Sequence, residues 1–147
     1  MSLPLPPVLV VDDEKNMRLS LKSLLGDEGY AVRGVDSAEA ALKLLGCEEF
    51  FMVITDARLG GMSGYDFLAK MRTQWPELPV LMITAYATPK LAVEAIKAGA
   101  IDYLSKPFEP EELFHAVEPR ASARIMPGTL VLKRLVEGAQ HLLLLGG

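Results

Sequence analysis

The sequence predicts a single α/β domain built on a doubly wound parallel sheet, with helices on both faces. Three observations carry that prediction. Short apolar runs rich in β-branched residues recur and stop abruptly at a polar side chain, as in Val8-Leu-Val-Val-Asp12 and Phe51-Phe-Met-Val-Ile-Thr-Asp56. Between the runs lie stretches whose apolar residues return at helical spacing. The connections are short, and strand and helix alternate five times without any internal repeat, which implies right-handed crossovers between parallel strands.

The first run, Val8 to Asp12, is unbroken and apolar, as a strand buried on both faces must be, and Asp13 and Glu14 follow it. Met17, Leu21, Leu24 and Leu25 then share one face of a helix that Gly29 stops. Ala31 to Val35 reads as a less buried strand. Ser37 is placed to cap a second helix, with Glu39 in its first turn and Ala38, Ala41, Leu42 and Leu45 on one face. The run ending in Asp56 reads as a buried strand, and the residues after it, up to Gly64, as a glycine-rich loop. Phe67, Leu68, Met71 and Trp75 mark a third helix, which Pro76 and Pro79 terminate. Pro79 to Thr84 is again an apolar strand with a polar end. Pro89 suits the first position of a fourth helix, with Ala92, Val93 and Ile96 expected on its buried face and Gly99 at its end. Ile101 to Ser105 is the last strand, followed at once by Lys106-Pro107. Pro110 opens a fifth helix with Glu111 and Glu112 where the helix dipole favours acids, and Pro119 is expected to cut that helix short.

A chain of 147 residues, half of them hydrophobic, can bury one proper core, expected here over residues 8–118, with 1–7 as an unstructured leader and 119–147 as a linker or tail. The net charge of -4 argues against this piece holding nucleic acid or an anionic membrane by itself. Cys47 is the one cysteine, which excludes an internal disulfide, and its apolar helical surroundings predict a buried structural thiol. His115 and His141 read as helix-surface residues. No apolar run reaches membrane-spanning length and no secretory signal opens the chain, so a cytoplasmic location is expected.

In an open parallel sheet, ligands bind at the carboxyl ends of the strands. If the first, third, fourth and fifth strands lie side by side, those ends collect Asp12, Asp13, Asp56, Thr84 and Lys106. Carboxylates crowded there either raise one another's pKa or hold a cation between them, and Mg²⁺, which prefers oxygen ligands and a substrate phosphate, is the natural occupant. Lys106 adds a positive charge, the Thr84 hydroxyl can donate to a phosphoryl oxygen, and Asp56 can act as a nucleophile toward phosphorus. Each residue alone has a duller reading. Asp12 and Asp13 could cap the first helix and Thr84 the fourth, Asp56 could be a turn-former or the cap of the next helix, and Tyr103 could be an ordinary half-buried strand aromatic. Five residues at successive strand exits do not fit that duller reading.

The ordered set of Asp12-Asp13, Asp56 with Met62-Ser-Gly64, Thr84-Ala85 and Tyr103-Leu-Ser-Lys106-Pro107-Phe108 resembles the receiver domain of two-component response regulators, from about Val8 to about Glu118. The stretch Ala85 to Phe108 is similar to receivers of the NtrC-like transcriptional activators. The resemblance implies a flavodoxin-like (βα)5 fold with strand order 2-1-3-4-5, and Asp56 as phosphoacceptor. It makes Asp13 a direct Mg²⁺ ligand, Asp12 a ligand through water, and the backbone carbonyl of Arg58 a third protein ligand. Thr84 and Lys106 match the residues that contact the phosphoryl group, Tyr103 matches the aromatic that follows Thr84, and Lys106-Pro107 matches a cis bond. It further implies a sensor histidine kinase or phosphotransfer protein as partner, catalysis limited to the domain's own phosphorylation and dephosphorylation, and a homodimer through the fourth helix, fifth strand and fifth helix. Gly60 stands where such sequences usually carry proline, so a more mobile loop is expected there.

Three rival readings fit these residues less well. A haloacid-dehalogenase-like aspartyl phosphatase needs a second acid two positions after its nucleophile, and that position is Arg58. A flavodoxin-like flavin binder needs glycine and hydroxyl donors after the first strand, where this chain offers Asp12-Asp13-Glu14. A degenerate receiver that only binds partners would not retain the complete acid, threonine and lysine set. In the tail, Leu132, Leu135, Val136, Ala139, Leu142 and Leu143 recur at helical spacing after Pro127-Gly128. Such a stripe must bury its apolar face on this domain, on a second copy, or not at all if it is a severed linker.

Overall fold

The structure, a computed structural model, describes residues 5–125, with side chains up to residue 120. Strands β1 (Val8–Val11), β2 (Val32–Val35), β3 (Met52–Asp56), β4 (Val80–Thr84) and β5 (Asp102–Ser105) alternate with helices α1 (Lys15–Asp27), α2 (Ala38–Leu45), α3 (Gly64–Gln74), α4 (Pro89–Lys97) and α5 (Pro110–Ile125). All strand pairs are parallel, and the order across the sheet is β2-β1-β3-β4-β5. The chain steps from β1 outward to β2 and then back across to β3. The order therefore reverses between β1 and β3, where a doubly wound sheet opens a crevice at its carboxyl edge.

Alternation along the strands divides the core in two. Leu9, Val11, Val53 and Met82 pack with α2, α3 and Ala95 of α4, while Val8, Val10, Ile54, Leu81 and Ile83 pack with α1 and α5. β1, β3 and β4 are buried throughout, which is why they read as unbroken apolar runs. Gly64 admits no side chain, because a Cβ there would collide with the backbone of Asp56 and Ala57. The first turn of α3 thus lies directly against the end of β3.

Several expectations are corrected. Pro119 does not cut the fifth helix short, since α5 continues through it to Ile125. A proline removes one helical hydrogen bond, and here the helix carries that local loss without ending. On α4 the buried residue is Ala95, whereas Val93 and Ile96 are exposed. The helix is short and meets the sheet through a small residue, so its larger apolar side chains face outward. Cys47 is exposed, because α2 ends at Leu45 and the thiol sits on the turn beyond. The leader is not wholly free of structure: Leu5 packs against the core on the α1 and α5 side, and the Phe51 N–H donates to the Pro7 carbonyl. Residues 1–4 and 126–147, including His141 and the leucine stripe, lie outside the described residues.

Candidate phosphoryl-acceptor site

Three strand-ending side chains are held by the same local device. Asp12 Oδ1 accepts from the Glu14 N–H at 2.9 Å, Asp56 Oδ1 from the Arg58 N–H at 2.9 Å, and Thr84 Oγ1 from the Tyr86 N–H at 3.3 Å. A side-chain oxygen that accepts from the backbone two residues on turns the chain sharply out of the strand. It also fixes the side chain at the sheet edge. None of the three caps a helix: the N-cap positions are Glu14, Ser63 and Thr88, and only the last two cap with their side chains. The helix-capping reading of these residues is thereby removed, while their role as turn-formers is what the bonds show.

The second oxygens of the two acids share one cation. Lys106 Nζ lies 2.8 Å from Asp12 Oδ2 and 2.7 Å from Asp56 Oδ2, with Glu14 Oε1 further off at 3.9 Å. The lysine reaches them from the turn after β5, where its N–H donates to the Thr84 carbonyl and its bond to Pro107 is cis. All three side chains of the inner pair of bridges are nearly buried. Burial acts to lower the Lys106 pKa, but the hydrogen bonds to Asp12 and Asp56 outweigh it and hold the ammonium above its ordinary value.

Carboxylate oxygens of Asp12, Glu14 and Asp56 come within 4.8 Å of one another. Glu14 was missed as a site residue in the sequence. Asp13 is not in this closest group, but it lines a cavity of about 440 Å³ together with Glu14, Asp56, Arg58 and Gly60. Asp13, Glu14 and Asp56 outnumber Arg58 among the charged residues that line that cavity, and their carboxylates make an all-oxygen donor set. Such a set fits a hard divalent cation.

Thr84 and Tyr103 open on a neighbouring cavity of about 460 Å³, which shares Arg58, Leu59 and Tyr86 with the first as a common wall. The Tyr103 hydroxyl is buried there without a hydrogen-bond partner, and the nearby Tyr65 hydroxyl donates to the Leu91 carbonyl in the first turn of α4. Burial pushes the Tyr65 phenol above its ordinary pKa. The loop after Asp56, expected to be mobile at Gly60, has an anchor of its own. Glu39 of α2 accepts from the Met62 N–H at 3.1 Å, beside Gly61 at φ 80°.

A family model described as the response regulator receiver domain matches residues 8–118. The response regulator protein FleR of Pseudomonas aeruginosa is 44% identical over 122 residues, covering 83% of this chain and 26% of FleR. The transcriptional regulatory protein FixJ of Bradyrhizobium diazoefficiens is 40% identical over 111 residues, covering 76% of this chain and 54% of FixJ. This chain thus spans about a quarter to about half of the length of these relatives. Among solved structures, the receiver domain of NtrX from Brucella abortus superposes with a TM-score of 0.73 at 36% identity, covering 77% of this chain and 96% of that one.

Proposed function

Because this chain belongs to the response regulator receiver domain family, we propose that Asp56 accepts a phosphoryl group from a histidine kinase or phosphotransfer protein and that the change is passed to an output surface. The observation that carries this reading is the Lys106 ammonium seated between Asp12 and Asp56 at the carboxyl edge of β1 and β3. In the transfer, a carboxylate oxygen of Asp56 forms the new P–O bond while the bond from phosphorus to the donor nitrogen breaks, its electron pair staying on the imidazole. Lys106 is placed to attract the phosphoryl oxygens, and the turn at Arg58 keeps the carboxylate aimed outward. The Thr84 hydroxyl, which accepts from Tyr86 N–H, still has its own proton to donate.

Asp12, Asp13, Asp56 and the Arg58 carbonyl, as the family resemblance assigns them, together with Glu14 by its position, would hold Mg²⁺. When bound, the ion offsets the negative charge shared by the carboxylates and the incoming phosphoryl group. The catalysis proposed for the domain is that of its own phosphorylation and dephosphorylation. A phosphatase of the haloacid-dehalogenase type is not favoured, because Arg58 stands where its general acid would be and turns toward Tyr86. Among the described residues no helix is long and apolar enough to cross a membrane.

The test is intact-mass measurement after incubation with Mg²⁺ and acetyl phosphate. One phosphoryl group should be gained, and none by the Asp56→Asn protein. Equal labelling of the two proteins would overturn the assignment.

A further inference from the structure

At the amino ends of the strands, opposite Asp56, lies a cavity of about 560 Å³ that the phosphorylation chemistry does not use. Its apolar wall is Leu45, Phe50, Trp75 and Leu78, and its rim carries Glu48, Glu49 and Glu77 with Arg120 as the one lining cation among the described residues. Glu48 is held on one side only: Oε1 pairs with Arg33 at 2.7 Å, while Oε2 is buried with no donor. An occupant should therefore bring apolar side chains together with a cation.

We propose that this groove is the docking site of the chain's own segment from Leu132 to Leu143. Three features favour that occupant. Arg120 on α5 lines the groove, and α5 ends at Ile125, so the chain leaves the described domain close beside it. Pro127-Gly128 follows directly, a dipeptide that reverses chains, and the seven residues from Ile125 to Leu132 can span at most about 25 Å. The segment itself has the required chemistry, with Lys133 and Arg134 set among Leu132, Leu135 and Val136. Docking places a cation near the unpaired oxygen of Glu48 and removes the leucine stripe from water. It needs no phosphoryl group, so it stands or falls separately from the role of Asp56.

Trp75 is the only tryptophan of the chain and lines the groove, so its emission reports occupancy. In the 147-residue chain Trp75 should be shielded from acrylamide, equally at all protein concentrations. Substituting Leu132→Asp with Leu135→Asp should shift its emission to the red and remove the shielding. The milder Leu132→Ala with Leu135→Ala, and Lys133→Gln with Arg134→Gln, should each remove part of it while a single cooperative urea transition is retained. Unchanged Trp75 emission and quenching in these variants would overturn the proposal. So would shielding that disappears on dilution, because the groove would then be filled by a second copy.

Discussion

The Arg58 guanidinium lies over the face of the Tyr86 ring, its central carbon 4.1 Å from the ring centre. These residues stand two places after Asp56 and two after Thr84, and both line the wall between the acid cavity and the Tyr103 cavity. Together they form a cover at the mouth of the site.

Water must approach an acyl phosphate in line with the bond it breaks, and a stacked Arg58 and Tyr86 obstruct that approach. An exposed cation–π contact contributes about 0.5–1 kcal/mol, which corresponds to roughly a two- to five-fold change in rate. The Arg58→Ala, Tyr86→Ala double variant should therefore lose its phosphoryl group faster by about that factor. Decay of the label, followed by mass after removal of the donor, checks it. Equal half-lives would remove the cover argument.

Lys106 offsets two buried carboxylates, and removing one partner of such a group leaves the others uncompensated. Lys106→Met should lower stability in urea by about 3–5 kcal/mol, because truncating a buried charge group has that typical cost. Adding Asp12→Asn and Asp56→Asn to the same protein should recover much of the loss. If the triple variant is no more stable than Lys106→Met alone, the loss comes from packing and not from charge.

Two separate groups, Lys106 and Tyr30, fix the sign of an alkaline dependence. The Lys106 pKa is raised in the folded state, and so is that of Tyr30, first by burial and then by the hydrogen bond its hydroxyl donates to Glu118. A group whose folded pKa lies above its unfolded value contributes stability that is complete below the unfolded value and lost as pH rises toward the folded one. For lysine and tyrosine those unfolded values are 10.5 and 10.0. Stability from these two groups should be level through neutrality and decline above them. Urea midpoints between neutral and alkaline pH check the direction, and Tyr30→Phe should remove its share of the decline.

Metal dependence separates the acids. Asp13→Ala should abolish Mg²⁺-dependent labelling, and Asp12→Ala should weaken it. Glu14→Ala should weaken Mg²⁺ binding less, because the Glu14 side chain is 67% exposed. Thermal shifts across a Mg²⁺ titration read the binding independently of phosphorylation. An unaltered shift for Asp13→Ala would transfer its ligand role to Glu14.

Much of this was legible in the chain because strands buried on both faces leave unbroken apolar runs, and the polar residue that ends each run announces the edge. Glu14 was not legible: whether the acid after Asp13 turns inward depends on the bond from its N–H to Asp12, which spacing does not reveal. The anchoring of Met62 by Glu39 joins residues far apart in sequence, so it could not be read from the residues around Gly60. Val93 and Ile96 were assigned inward by periodicity, but α4 is too short for its period to outweigh the contact made by Ala95. Their exposure turns an error of packing into a clue to function.

Val93 and Ile96 are 52% and 48% exposed on α4, with Tyr86 at 58% in the loop before it. Isolated apolar residues need no explanation, but these follow the strand that ends in Thr84, and the first turn of α4 is tied to α3 by Tyr65 through the Leu91 carbonyl. A phosphoryl group on Asp56 would draw the Thr84 hydroxyl toward it and free space in the cavity that Tyr103 shares with Tyr65 and Leu91. The Tyr103 hydroxyl is buried beside that of Tyr65, so a rotation of Tyr103 is felt directly at Tyr65. A shift there loosens the Tyr65 tie and repositions α4, a local charge event read out on a surface. The phosphorylated protein should therefore self-associate through α4, β5 and α5 at lower concentration than the unmodified one. Val93→Asp with Ile96→Asp should prevent that association without preventing labelling of Asp56. Tyr65→Phe, which lacks the tie, should raise association of the unmodified protein. Light scattering over a wide concentration range decides the matter: one mass for both forms at every concentration would leave α4 without a role in dimerisation.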